Sequence, residues 1–185
     1  MAWLEALGAA MAVSIQICAI RRSRLAFVLT MLNAVIYAVV FMTARLMFSV
    51  SLQIMFFAIA CYGFWYWRHG RDSRLVPITS FGFSKTLAAM LLFLLLSAAF
   101  ALNLGDISGA RYAQLDASVA GLSVLGELLL SRKKRETWIV FALAYGVGIY
   151  TYVISGLFFT AALCGFLLGL CLTGWRSWRP SPPGG

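Results

Sequence analysis

The sequence predicts an all-α integral membrane protein, with seven transmembrane helices in a parallel 3+1+3 repeat. Three observations carry the prediction. The chain is 62% hydrophobic and 11% charged, with a mean hydropathy of +0.89. That is too little polar surface for a soluble domain of 185 residues. Its fifteen Lys and Arg residues sit in short clusters between long apolar runs, as in the loops of a multi-pass protein. Two clusters, "RRSR" from position 21 and "RKKR" from position 132, are separated by a distance at which much of the rest of the chain also aligns.

A helix needs about 20 apolar residues to cross the hydrocarbon. On that ruler the spans run Trp3–Ile20, Leu25–Met42, Leu46–Trp67, Thr86–Leu104, Ala113–Leu130, Thr137–Ile154 and Leu157–Trp178. The turns "TAR" and "SG" are so short that the helices they join must be antiparallel neighbours. The longest connection, "RHGRDSRLVPITSFGFSK", holds a proline and several turn formers and sets the first three spans apart from the fourth. The tail "RPSPPGG" carries no helical pattern, and residues 180–185 are expected to be disordered.

Orientation follows from the cations. Arg21, Arg22, Arg24, Arg68, Arg71, Arg74, Lys85, the cluster Arg132, Lys133, Lys134 and Arg135, and then Arg176 and Arg179 fall on one side of a seven-span chain. Only Arg45 and Arg111 fall on the other. Cytoplasmic loops hold the excess of Lys and Arg, so the N-terminus is expected outside and the C-terminus in the cytoplasm. The opening "MAWLEALGAAMAVSIQICAI" has an acid and no cation ahead of its apolar stretch, the reverse of a cleavable signal peptide. A net charge of +9 would suggest nucleic acid in a soluble protein. Clustered at loops, the same cations point to membrane boundaries, and no nucleic-acid partner is expected. Cys18, Cys61, Cys164 and Cys171 all lie within apolar runs, form no Cys-x-x-Cys pair, and are accompanied by one histidine, His69. No metal site, cofactor or disulfide framework is expected.

Sliding the chain onto itself at the spacing of the two clusters brings Glu5 onto Asp116, Gln16 onto Glu127, Gly63 onto Gly174, Trp67 onto Trp178 and Arg68 onto Arg179. "LMFS" falls on "LFFT". Residues 1–74 therefore read as one three-helix bundle, 75–111 as a linker with the fourth span, and 112–179 as a second bundle. Three spans invert a direct copy, and the fourth restores its direction. Parallel repeats of this kind belong to transporters, with substrate between the halves.

Polar groups at membrane depth are costly and mark candidate sites. Asn33 lies nine residues past Arg24, and Tyr145 lies ten past Arg135. Both are thus about 14 Å deep, near the midplane. Gln53 reaches a similar level from the opposite side. Interhelical hydrogen bonding is the plainer role for an isolated Asn or Gln. Trp138, Phe141 and Tyr145 share a helix face. They form either an aromatic wall for a flat, cationic ring, or an interfacial belt residue with two packing residues. Glu127 lies about 8 Å inside the interface, where it either pairs with a nearby cation or faces a cavity and attracts a cationic ligand.

The stretches "LNAVIYAVVF", "SLQIMFFAIACYGFWYW", "LDASVAGLSVLGELLLSRKKRETW" and "GWRSW" resemble the PnuC family of vitamin transporters across all seven spans. The resemblance implies a SWEET-like fold, a homotrimer in the bacterial inner membrane, and facilitated diffusion of an intact B-vitamin precursor. It also implies that a cytoplasmic kinase makes uptake directional by phosphorylating the substrate. The family's best known substrate is nicotinamide riboside, held partly by a Trp-x-x-Trp pair followed by an Asn on the sixth span. Here Trp138 matches the first Trp, Phe141 replaces the second, and Tyr145 stands at the Asn, while Asn33 and Gln53 match family polar positions. The candidate substrate contacts are thus Asn33, Gln53, Trp138, Phe141 and Tyr145, at positions that the resemblance matches, and Glu127, from its charge and its place inside the interface. Nicotinamide riboside is the leading substrate, and thiamine, a flat cation carried by relatives, is the alternative. An enzyme is not expected, because no Ser–His or Cys–His set lies at membrane depth. A non-transporting structural membrane protein is the remaining class.

Overall fold

The charged breaks between apolar runs decide where helices stop. The computed structural model describes residues 2–43, 47–69, 77–108 and 113–179, and it has one helix for each expected span. These are α1 (Ala2–Ile20), α2 (Leu25–Thr43), α3 (Met47–His69), α4 (Phe83–Ser108), α5 (Ala113–Ser131), α6 (Thr137–Ile154) and α7 (Phe158–Ser177). Among the described residues the only β-type pairing is an isolated bridge between Thr79 and Lys134. The largest departure from the expected limits is α4, which runs longer at both ends. At its start Gly82 takes a φ of 90°, and its carbonyl accepts from both the amide and the hydroxyl of Thr86. Arg45, Arg71, Arg74, Arg111, the side chain of Glu5 and the tail from 180 onward lie outside the described residues.

Among the described residues five helices are long and apolar enough to cross a membrane: α2, α3, α4, α6 and α7. By the same measure α1 contributes a shorter apolar stretch, Leu7–Ile20. The polar residues of α5, among them Asp116, Ser118, Ser123 and Glu127, lower its hydropathy. The large apolar side chains are turned outward. On α2, Leu25, Val28, Leu32, Val35, Val39 and Met42 form an exposed stripe at helical spacing. Leu87, Leu91, Leu95 and Leu102 do the same on α4. Apolar stripes of this length face lipid and would be untenable in water.

The chain divides into two units. The first holds residues up to Pro77 together with Leu130–Lys133, and the second holds the remainder. In the first, α1 leaves through a tight turn with Arg22 in the left-handed region at φ 57°. The Arg22 amide donates to Ala19 O and the Ser23 amide to Cys18 O, each at 2.9 Å. This is the Schellman arrangement, which satisfies the last carbonyls of a helix. Phe27, fully buried, sits on Gly63 of α3, where an added Cβ would lie 2.4 Å from the Phe27 ring. The Phe27 ring meets the Trp67 ring edge-on at 4.9 Å and 86°.

In the second unit α4, placed by sequence reading in a linker segment, packs on α5 and α6. Phe81, Ala89, Met90, Phe93 and Leu94 cover a core of Leu122, Leu125, Leu129, Val140 and Ala144. Trp138, 1% exposed, sits on Gly174 of α7, where an added Cβ would lie 2.4 Å from the indole. It meets Trp178 edge-on at 5.3 Å and 86°. The α5–α6 turn makes the hydrogen bonds of the α1–α2 turn again. Lys133 has φ 52°, its amide donates to Leu130 O, and the Lys134 amide donates to Leu129 O, each at 2.9 Å. Phe27, Gly63 and Trp67 stand at the repeat spacing from Trp138, Gly174 and Trp178, as Arg22 does from Lys133.

Candidate functional site

α5 approaches α6 closely because position 126 is glycine. An added Cβ there would lie 2.5 Å from the Phe141 ring. The Thr137 hydroxyl donates to Gly126 O at 2.7 Å and ties the start of α6 to the same turn of α5. Glu127, the next residue, is thereby carried into the packed interior. It is 6% exposed, and its Oε1 is buried without a hydrogen-bond partner. A polar atom buried in this way costs about 1–3 kcal/mol, and more when charged. The expected alternative was pairing with the "RKKR" cluster, but those four cations have other partners. Arg132 lies over the Tyr62 ring at 5.7 Å and Lys133 over the Trp67 ring at 4.6 Å. Lys134 Nζ donates to Thr79 Oγ1 at 2.8 Å. Arg135 stacks on Trp175 at 3.7 Å and donates to the Trp175 carbonyl.

The three aromatic residues expected on one face of α6 divide into a stack and a pin. Phe141 and Tyr145 stack at 6.1 Å with 18° between their planes. The Tyr145 phenol is within electrostatic range of Glu127, Cys164 and Cys171. Trp138 instead turns its ring onto Gly174 and Trp178. It is not an interfacial belt residue, because almost none of it is exposed. Its Nε1 is buried and has no hydrogen-bond partner. In the first unit, α2 carries Asn33, whose Oδ1 is also buried and unpartnered, and α3 carries the half-buried Gln53.

The three orphaned atoms Asn33 Oδ1, Glu127 Oε1 and Trp138 Nε1 are the buried side-chain N and O atoms without a partner among the described residues. All three belong to residues singled out from the sequence. Glu127 on α5 thus leaves an acceptor open and Trp138 on α6 a donor, and α6 also carries the Phe141–Tyr145 stack.

Comparison with known proteins decides the family. Residues 2–180 match the family described as nicotinamide mononucleotide transporter. The chain belongs to the nicotinamide mononucleotide transporter family. Among solved structures it is similar to the crystal structure of the vitamin B3 transporter PnuC. That likeness has a TM-score of 0.70 and 15% identity, over 95% of this chain and 80% of the other. At that identity the likeness is one of fold. A comparison with curated proteins gives no match. The PnuC resemblance read from the sequence is therefore borne out, and family and structural neighbour are both transporters rather than enzymes.

Within this nicotinamide mononucleotide transporter fold, one residue escaped the sequence reading. Glu136 occupies the N-cap position of α6 but makes no side-chain cap bond there. Its carboxylate accepts instead from the Ser80 hydroxyl, from the Phe81 amide at 2.8 Å and from the Gly82 amide at 3.3 Å, at the start of α4. Burial alone would raise the Glu136 carboxyl, but these hydrogen bonds outweigh it and hold the group below the ordinary carboxyl value. The Arg135 amide adds a bond to Thr79 O at 3.1 Å. The loop read as a membrane anchor is thus also a clasp on the segment before α4. A lone acid directly after four cations was the available signal. Burial, with Arg22 and Arg24 nearby, lowers the Lys133 ammonium from its usual value.

Proposed function

We propose that the chain carries a cationic aromatic B-vitamin precursor by facilitated diffusion, with nicotinamide riboside as its first substrate. The observation that carries this reading is the orphaned pair Glu127 Oε1 and Trp138 Nε1 on α5 and α6. A pyridinium ring supplies the countercharge that Glu127 lacks, and its carboxamide supplies an acceptor for the indole N–H. Phe141 and Tyr145 offer the ring faces. Charge also discriminates between the nucleoside and the mononucleotide for which the family is named. A mononucleotide brings a phosphate of roughly two negative charges, which a buried carboxylate repels, so the nucleoside is favoured over the nucleotide. Asn33, with its own orphaned oxygen, and Gln53 are further candidate substrate groups on α2 and α3.

Thiamine is the second reading. Tyr145 stands where relatives of the PnuC type have an amide, and a phenol beside Glu127 suits a cationic ring that has no carboxamide. A purely structural membrane protein has no use for two buried polar atoms left without a partner among the described residues.

The remaining parts of the reading have separate support. The recurrence of the turn and of the aromatic–glycine–tryptophan packing in both halves of the sequence supports a parallel 3+1+3, SWEET-like repeat. The cation clusters support an inner-membrane chain with its N-terminus outside and its C-terminus cytoplasmic. Assembly as a homotrimer and trapping by cytoplasmic phosphorylation rest on the family resemblance.

Calorimetric titration of the purified protein with nicotinamide riboside, thiamine, nicotinamide mononucleotide and the uncharged reduced riboside tests the reading. The cation is expected to bind tightest, and Glu127→Gln to weaken it about tenfold or more while changing the neutral analogue little. Equal losses for cation and neutral analogue would assign Glu127 a structural role.

A further inference from the structure

The α5–α6 turn sends two successive cations to two rings of α3. Residues Leu130–Lys133 pack with the first unit, where the Trp67 indole N–H donates to Ser131 O at 3.0 Å. Lys133, at φ 52°, turns inward and is 6% exposed, with its Nζ 4.6 Å from the centre of the Trp67 ring. Arg132 is exposed, and its guanidinium lies 5.7 Å from the centre of the Tyr62 ring. The plain role of these contacts is to hold the turn on α3. Lys133 and the Trp67–Ser131 bond serve that role, and it does not require an exposed guanidinium on a second ring.

Tyr62 begins a ladder of rings along α3. It lies 6.0 Å from Tyr66, stacked at 27°, and 6.4 Å from Trp65, which in turn lies 5.7 Å from His69. Trp65 is 56% exposed. It belongs to a lane of exposed residues at helical spacing, Ile54, Phe57, Cys61, Trp65 and Arg68. The lane therefore passes from apolar side chains through an indole to a guanidinium, and Arg132 stands beside it on Tyr62. Arg68 and His69 also face the negative end of the α3 dipole, a role that uses neither the ladder nor Arg132. Residues 61–69 and 130–133 contain Arg68, Arg132 and Lys133 but no Asp or Glu.

We propose that this end of the first unit binds the headgroup of an anionic phospholipid. Arg68 and Arg132 take the phosphate, for which guanidinium is the best matched side chain. Trp65 and Tyr62 lie at glycerol level, where amphipathic rings settle, and the acyl chains run along Ile54 and Phe57. Lys133 is a positioning residue: its inward turn directs Arg132 out to the lipid. On the orientation proposed above this is the cytoplasmic leaflet, whose anionic lipids attract basic groups near the membrane surface. The inference is independent of the substrate. A phosphate could also come from a soluble anion, but the apolar lane leading up to Trp65 favours a headgroup that carries chains.

The test is the melting temperature of the purified full-length chain in a neutral detergent, with phosphatidylglycerol, phosphatidylcholine or soluble glycerol phosphate added. Phosphatidylglycerol is expected to raise it by about 5 °C at saturation, and the other two by about 1 °C or less. Each variant is read as the lipid-induced shift from its own lipid-free value, so a loss of stability alone does not count. Arg132→Gln and Trp65→Leu are expected to lose at least about half of the shift. Lys85→Gln, which removes an exposed cation of the second unit, should keep it. An equal shift from phosphatidylcholine, or a full shift in Arg132→Gln, overturns the site. So does a loss in Lys85→Gln as large as that in Arg132→Gln, which would make the effect one of diffuse charge. A full shift from glycerol phosphate overturns the lipid as ligand in favour of a soluble phosphate.

Discussion

Trp138 and Phe27 do the same packing work with different chemistry. Each sits on a glycine and meets a tryptophan edge-on at 86°. Phenylalanine is therefore sufficient for the pin, and the indole N–H of Trp138 is surplus to it. Trp138→Phe is expected to leave the melting temperature within a few degrees of wild type while weakening ligand binding by about 1–2 kcal/mol, the worth of one hydrogen bond and part of a ring contact. A large fall in melting temperature with unchanged affinity would make Trp138 a structural residue only. Calorimetry and thermal unfolding in the same detergent read the two quantities side by side.

Glycine decides how closely the elements approach. At Gly174 an added Cβ lies 2.4 Å from the Trp138 indole, and at Gly63 the same distance from Phe27. Both rings are buried. Gly63→Ala and Gly174→Ala are each expected to destabilise by about 1–3 kcal/mol, the usual cost of overpacking. Glycine 165 on the same helix as Gly174 has nothing within 4 Å of an added Cβ, so Gly165→Ala serves as the neutral control for thermal unfolding. The clasp before α4 is an element-scale device with a pH signature. The hydrogen bonds hold the folded Glu136 carboxyl below its unfolded value near 4.5. Its contribution is therefore complete above that pH and disappears as pH falls through the folded value. The wild-type melting temperature is expected to fall more steeply below pH 4.5 than that of Glu136→Gln, with Glu136→Gln less stable by about 1–3 kcal/mol at neutral pH. Parallel pH profiles would remove the clasp as a source of stability.

At the scale of the molecule, the proposed orientation rests on the cation split. A reporter fused after Gly185 is expected in the cytoplasm, and one placed before Met1 outside. Both ends labelled from one side would break the seven-span topology. Where helices form was legible in the sequence. Apolar length, charge at the breaks and short turns are local properties, and each predicted span has its helix. Family membership was legible as well, because long ordered segments carry it.

The sequence by itself determined the helices, their number and the polar residues worth watching. Asn33, Glu127 and Trp138 stood out as costly, and all three retain an orphaned buried atom. Only the tertiary structure decided what each side chain faces. Helical periodicity places Trp138, Phe141 and Tyr145 on one face. Yet the close approach at Gly126 takes Phe141 onto α5, while that at Gly174 takes Trp138 onto α7. The partners of "RKKR" were equally out of reach. A run of four cations reads as one cluster, but the left-handed turn at Lys133 sends its members to Tyr62, Trp67, Thr79 and Trp175. Those partners lie tens of residues away along the chain, and a contact at that separation is set by how helices pack, which no local pattern encodes.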